Sequence, residues 1–305
     1  MTAVATATIA PTVKDETPLA TKITKKSTSP FGRAVVWLVA ALWTVPTFGL
    51  FISSLRPEAK IKTTGWWTWF TDWEVTSKNY SGVLEYTGGS GRAFSSYFWN
   101  SLAITIPGSI IPIVVAAFAA YALSWMSFWG RDKLFVLIVA LMVVPLQMCL
   151  IPLLRFFKDY TPLSGGVPQI WMAHTIFAMP LAIFLLRNFI GSLPSEVIEA
   201  ARVDGASHMT IFARIVMPLS VPAIASIAIF QFLWVWNDLL VAKVFGGGSQ
   251  NAPMTAALVD MVGTKGSEWQ LLTAGAFVSM VVPLAVFIGL QRYFVRGLLA
   301  GSVKG

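Results

Sequence analysis

Long apolar runs separated by short polar stretches constrain this chain more than any other feature of its sequence. Of 305 residues, 56% are hydrophobic and only 12% charged. A soluble domain carries about 25% charged residues, so polar groups here are too few to cover a water-facing surface and the solvent must be largely lipid. A helix rising 1.5 Å per residue crosses a hydrocarbon core of about 30 Å in roughly 20 residues. The runs predict an all-α, polytopic membrane protein with six spans at about residues 34–55, 98–125, 134–156, 167–189, 221–242 and 271–295. The domain division is then a tail, 1–33, and a transmembrane domain, 34–305.

The tail is rich in Thr, Ala, Lys and Pro and holds no apolar run, which predicts disorder and makes the first span a signal-anchor rather than a cleaved leader. Residues 56–97 are polar but carry Trp66, Trp67, Trp69 and Trp73. Tryptophan favours the membrane interface, so this stretch reads as a re-entrant or surface-lying segment, with stacking on a sugar ring as the functional alternative. Pro46, Pro107, Pro112, Pro145, Pro152, Pro180 and Pro283 punctuate the spans. Such prolines cost about 3 kcal/mol in a soluble helix but are tolerated in membranes where neighbours satisfy the freed carbonyl. Mobile kinks around a pathway and simple tolerance are the two readings. With the N-terminus inside, 13 of the 22 Lys and Arg residues fall on the inner side. That bias places both termini and the polar stretch after the fourth span in the cytoplasm, and explains the net charge of +8 without nucleic acid.

That polar stretch, within residues 190–218, predicts a helical hairpin. Pro194 suits a first helical position, and Glu196 and Glu199 lie near the positive end of the helix dipole. Gly205 can adopt the left-handed conformation that ends a helix, Ser207 can cap a second one, and Pro218 ends it or starts the next segment. Ala200 and Ala201 permit close approach of another surface, with acids and Arg202 as a polar rim, so the hairpin suits docking into a partner's groove; an ordinary amphipathic connector is the alternative. A DNA-reading helix-turn-helix has the same outline, but only Arg202 and Arg214 supply positive charge and apolar spans flank both sides.

Few residues suggest chemistry. No phosphate-binding Gly-x-x-x-x-Gly-Lys-Ser/Thr loop occurs, and Gly263-Thr264-Lys265-Gly266 is a superficial echo; zinc-protease and nucleophile-elbow motifs are also missing. The chain is expected to be no enzyme and to hold no cofactor or metal. The single Cys149 excludes an intramolecular disulfide. His174, one of two histidines, reads as a packed, hydrogen-bonded residue rather than a ligand. Gln231 lies near mid-depth of the fifth span, as a pathway residue or as interhelical glue. Asn237 and Asp238 lie toward its outer end, as pathway residues or as an interfacial cap. Beyond them Gly246, Gly247, Gly248, Ser249 and Gln250, with Asn251, predict a flexible outer loop.

The hairpin is where the chain becomes recognisable. Glu199-Ala200-Ala201, Asp204-Gly205-Ala206, Phe212, Ile215 and Pro218-Leu219 resemble the cytoplasmic EAA loop of ATP-binding-cassette importer permeases. Ser53-Ser54-Leu55-Arg56-Pro57, Asn100-Ser101-Leu102, Ala119-Ala120-Tyr121-Ala122-Leu123, Gly130-Arg131-Asp132, Trp236-Asn237-Asp238 and Gln291-Arg292-Tyr293-Phe294-Val295-Arg296-Gly297 are similar to the smaller permease of maltose-type sugar importers. The resemblance implies a multi-pass subunit of the bacterial cytoplasmic membrane, in contact with lipid. It pairs with a second, different permease, two ATPase subunits that hold the ATP and Mg, and an extracytoplasmic sugar-binding protein. Glu199, Ala200, Ala201, Asp204, Gly205 and Ala206 would couple to the ATPase, residues 246–251 would reach into the binding protein, and the ending Ala300-Gly301-Ser302-Val303-Lys304-Gly305 would touch the ATPase pair. The Trp-rich insert and Trp236-Asn237-Asp238-Leu239-Leu240 lean toward α-glucosides or a maltose- or trehalose-like sugar. A polyol or glycerol-3-phosphate permease, or a membrane anchor or receptor that does not transport, are the alternatives.

Overall fold

The computed structural model describes residues 30–87, 91–163, 165–262 and 268–302, with backbone only over 292–302. Most of the expected tail, the Gly263-Thr264-Lys265-Gly266 stretch and the last three residues lie outside the described residues, as do the side chains of Arg292 and Arg296. In chain order the helices are α1 (Pro30–Ser54), α2 (Glu58–Thr63), a 3₁₀ turn (Trp66–Phe70), α3 (Lys78–Glu85), α4 (Phe94–Trp125), α5 (Arg131–Leu141), α6 (Leu146–Tyr160), α7 (Val167–Ile190), α8 (Ser195–Val203), α9 (His208–Ile211), a π-helical turn (Phe212–Val216), α10 (Met217–Leu219), α11 (Val221–Trp236), α12 (Leu240–Phe245), a 3₁₀ turn (Ser249–Asn251), α13 (Met254–Met261) and α14 (Trp269–Ser302).

Four of these helices, α1, α4, α7 and α14, are long and apolar enough to cross a membrane, and the number rises to six if each of two bent pairs counts as one span. The bent pairs correct two expectations. The third run is not one helix: α5 and α6 meet at 108°. Pro145 lies at the break, lacking the N–H that would continue the helix and holding Val144 away from helical geometry. The fifth run does not continue to residue 242: α11 stops at Trp236, with Asn237 as its C-cap, and bends by 73° from the hairpin's second arm. The residues before α3 form α2 and the Trp66–Phe70 turn.

The core is centred on α4 and α7, with α11 and α14 packed beside them. Ala116, Ala117 and Ala120 of α4 meet Ala182, Ile183, Leu186 and Ile190 of α7. Lipid offers no hydrophobic drive for helices to associate, so the small side chains count here because they let the backbones approach. A second cluster joins Ile104, Ile170, Ala173 and Val235 to Phe245 of α12, and a third joins Phe94, Tyr97 and Trp236 to Met254, Met261 and Ala274.

The prolines inside α4 and α14 show how lipid-embedded helices carry them. A proline leaves the carbonyl four residues earlier without its helical donor. Pro107 does this to Ala103, whose oxygen accepts the indole N–H of Trp171 at 2.8 Å. Pro283 does it to Ser279, whose oxygen accepts from Trp236 Nε1 at 3.2 Å. Each freed carbonyl is therefore satisfied by a neighbouring helix.

Candidate coupling hairpin and pathway residues

The polar stretch folds as two arms. Pro194 takes the N-cap position of α8, one residue ahead of the expected place, and α8 ends in a closed turn at Gly205. There Ala206 N–H donates to the Ala201 carbonyl at 2.9 Å and Gly205 N–H to that of Arg202 at 3.0 Å, while Gly205 has φ +78°. This is the paired hydrogen-bond pattern of a Schellman cap, which needs a residue at ease in left-handed geometry. The second arm begins as expected: Ser207 Oγ accepts from Thr210 N at 3.2 Å.

One side of the hairpin is fastened to the membrane helices. Ile198, Ile211, Phe212 and Val216 are buried in the cluster of α4 and α7. Phe212 stacks on Phe118 with ring centres 4.5 Å apart, and Tyr121 Oη lies 3.0 Å from His208 Nδ1. Arg202 Nη2 donates to the Trp125 carbonyl at 2.7 Å, and Trp125 Nε1 donates to that of Ile190 at 3.1 Å. The other side is open. Glu199, Ala200, Asp204 and Gly205 are exposed, Ala201 and Ala206 are half-buried, and Val203 is 88% exposed. The six predicted site residues are thus gathered at one protruding corner, with an apolar side chain at its tip.

The pathway candidates are placed differently from one another. Gln231 is buried and its Nε2 donates to the Gly108 carbonyl at 3.2 Å. Pro112 has left that oxygen without a helical donor, so Gln231 satisfies it across the contact between α11 and α4. Asn237 is exposed and its Nδ2 turns back to the Leu233 carbonyl at 2.8 Å, as a cap on its own helix.

Sequence reasoning missed the part played by Asp238. Its carboxylate accepts from Val241 N at 3.3 Å and Ala242 N at 3.0 Å, starting α12, while its carbonyl accepts from Thr255 Oγ1 at 2.7 Å. Its Oδ2 is also 3.7 Å from Nε2 of His174. His174 is fully buried, as expected, but neither ring nitrogen has a hydrogen-bond partner among the described residues, which corrects the expected hydrogen bond. The ring lies beside Gly108 and edge-on to Trp234. The available signal was the cost of two ionisable groups at membrane depth, which usually face one another.

Residues 246–250 are exposed apart from Gly246, and backbone groups at both ends of the loop are tied to neighbouring elements. Gly166 N–H and Asn251 Nδ2 both donate to the Gly246 carbonyl, at 3.1 and 2.6 Å. Asn100 Nδ2 donates to the carbonyls of Gln250 and Ala252 at 2.8 and 3.0 Å. A Cβ on Gly247, at φ +71°, would lie 3.1 Å from the Gly165 Cα. The glycine here serves left-handed geometry and close backbone approach.

With this geometry in place, comparison with known proteins is direct. Residues 108–299 match the family described as binding-protein-dependent transport system inner membrane component. The chain is 57% identical over 273 residues to the osmoprotective compounds uptake permease protein GgtD of Synechocystis sp., covering 87% of this chain and 89% of that one. It is 51% identical to the alpha-glucoside transport system permease protein AglG of Rhizobium meliloti, covering 86% and 70%. In fold it is similar to a chain in the crystal structure of a bacterial ABC transporter involved in import of the acidic polysaccharide alginate, with TM-score 0.70 and 20% identity over 92% of this chain and all of that one. The chain, with its apolar helices and its fastened polar hairpin, belongs to the family of inner membrane components of binding-protein-dependent transport systems.

Proposed function

We propose that this chain is one of two permease subunits of an ATP-driven importer that takes up an α-glucoside or a maltose- or trehalose-like sugar. The observation that carries the reading is the hairpin: one face fastened by Ile198, Ile211 and Phe212, the other a protruding corner of Glu199, Ala200, Val203, Asp204 and Gly205. A rigidly held, half-apolar corner suits a groove on an ATPase subunit, because movement of the groove is then passed to α4 and α7 without loss in a soft joint. ATP and Mg belong to the ATPase pair, since this sequence has no phosphate-binding loop. Both termini and the hairpin lie in the cytoplasm, and the side bearing residues 246–251 faces an extracytoplasmic binding protein. The α-glucoside assignment is supported by the relative at 51% identity.

The test is uptake of labelled trehalose and maltose by proteoliposomes holding this chain, its partner permease, the ATPase and the binding protein. ATP-dependent accumulation that ceases without this chain is the expected result; binding with no accumulation supports an anchor or receptor instead. A second reading, import of an osmoprotective compound, is favoured by the name of the relative at 57% identity. Competition by unlabelled solutes in the same assay separates the two.

A further inference from the structure

The transport reading leaves the tryptophans between α1 and α3 without a role. This segment is built as a rigid loop on the end of α1. Arg56, 3% exposed, donates to Thr68 Oγ1 at 3.1 Å and to the Lys60 carbonyl at 3.4 Å, and also to Thr64 Oγ1. Asn79 Nδ2 donates to the carbonyls of Ser54 and Arg56, both at 2.8 Å, and Thr76 N–H to that of Leu55 at 2.7 Å. The chain therefore leaves the end of the first membrane helix and is tied back to the point it left. Its charges are satisfied among themselves: Lys60 pairs with Asp72 and lies 3.7 Å from Glu74, and Lys62 pairs with Glu58.

The aromatic side chains have an order of their own. In a 3₁₀ turn residues three apart eclipse, which puts Trp67 and Phe70 in one row, and Trp73 follows at the same spacing. These three are 64%, 61% and 74% exposed. Trp69 lies behind them, its ring centre 4.3 Å from that of Trp73 and 5.6 Å from that of Phe70. A rigid neutral platform thus presents aromatic rings outward at the end of a membrane span.

Two chemistries fit exposed aromatic rings, and the geometry separates them. A sugar needs hydrogen-bonding groups beside the ring and a concave wall around it. Here the three carboxylates, Glu58, Asp72 and Glu74, are engaged with lysines, and most of each of the three rings is left uncovered. The headgroup region of a bilayer accepts amphipathic rings on an uncovered, charge-balanced face, and this loop follows in sequence on an apolar helix of span length. We propose that Trp67, Phe70 and Trp73 are embedded in the phospholipid headgroup region at the end of α1 and fix that helix at its depth in the membrane. The assignment holds whichever side of the membrane the loop occupies.

The test uses the full chain, assembled with its partner permease in phosphatidylcholine and phosphatidylglycerol vesicles. In a Cys149→Ser background, single cysteines replace Trp67, Phe70, Trp73 or, as the water-facing control, Lys62, and carry a nitroxide. Nitroxides at 67, 70 and 73 are expected to be relaxed by oxygen and shielded from a water-soluble nickel chelate, with the reverse at 62. Nickel accessibility at 67, 70 and 73 equal to that at 62 overturns the proposal, and so does shielding that appears only when the binding protein is added. Quenching of native tryptophan fluorescence by brominated lipid checks the unlabelled face: wild type should be quenched by a larger fraction than a W67S/F70S/W73S variant, and equal fractions contradict the embedding.

Discussion

The Gln231 side chain donates to the Gly108 carbonyl at 3.2 Å, the one oxygen of that turn that Pro112 deprives of its helical partner. Trp171 stands in the same relation to Ala103, and Trp236 to Ser279. In lipid no water can take the place of these donors, so each freed carbonyl depends on a side chain of another helix.

The first prediction is drawn from that dependence. Gln231→Leu leaves the Gly108 oxygen buried without a donor and should cost about 1–3 kcal/mol. In a Pro112→Ala background the helix regains its own N–H donor, so the same substitution should cost much less. Thermal unfolding of the four proteins in detergent measures the cycle; additive effects would refute the pairing.

Trp236→Phe should destabilise by about 1–3 kcal/mol, since its ring can still pack but cannot donate to Ser279. Unfolding midpoints for Trp236→Phe alone and with Pro283→Ala read the effect, and a midpoint unchanged in Trp236→Phe would show that the Ser279 oxygen needs no such donor.

The loop at residues 246–251 gives a third prediction. Gly247→Ala introduces a Cβ 3.1 Å from the Gly165 backbone at a φ of +71°. Strain of this kind costs about 1–3 kcal/mol. The loss of stability should be visible as faster hydrogen exchange around residues 165–166 and 246–251, whereas a truly flexible loop would absorb the methyl group without change.

Alkaline pH should loosen the tryptophan-bearing loop. Hydrogen bonding to Asp72, opposed by desolvation and helped by the charges of Asp72 and Glu74, holds the Lys60 amino group above its ordinary range. A raised folded value means the contribution is complete below the ordinary lysine value and is lost as pH rises through the folded one. The pair is exposed, so the effect is small. Hydrogen exchange of residues 56–79 should accelerate at high pH beyond its intrinsic rise in wild type but not in Lys60→Gln.

Much of the fold was legible because lipid imposes length and apolarity on every span, and much of the hairpin because caps use specific residues: Gly205 and Ser207 do what their side chains dictate. The proline partners were not legible. Gln231 and Gly108 are 123 residues apart, and periodicity gives a residue's depth but not its partner. For the same reason the sequence could not say which prolines break a span: Pro107 and Pro112 lie within a continuous α4, while the chain turns sharply at Pro145. Glycine is ambiguous in itself. The run from Gly246 has the composition of a flexible linker, yet Gly247 is held at close approach to the backbone of Gly165 and Gly166.

The central claim is that the hairpin links ATP hydrolysis elsewhere to movement of this chain, and Gly205 tests it most directly. Nothing lies within 4 Å of a Cβ added there, so Gly205→Val creates no clash and acts only through its φ of +78°. A β-branched residue in left-handed geometry costs about 1–2 kcal/mol or more, which should reshape the corner, whereas Gly205→Asn tolerates that geometry. Solute uptake and binding-protein-stimulated ATPase activity, measured together on purified assembled complexes in proteoliposomes, should both collapse for Gly205→Val and largely survive for Gly205→Asn. Uptake at the wild-type rate by an intact Gly205→Val complex would contradict the account.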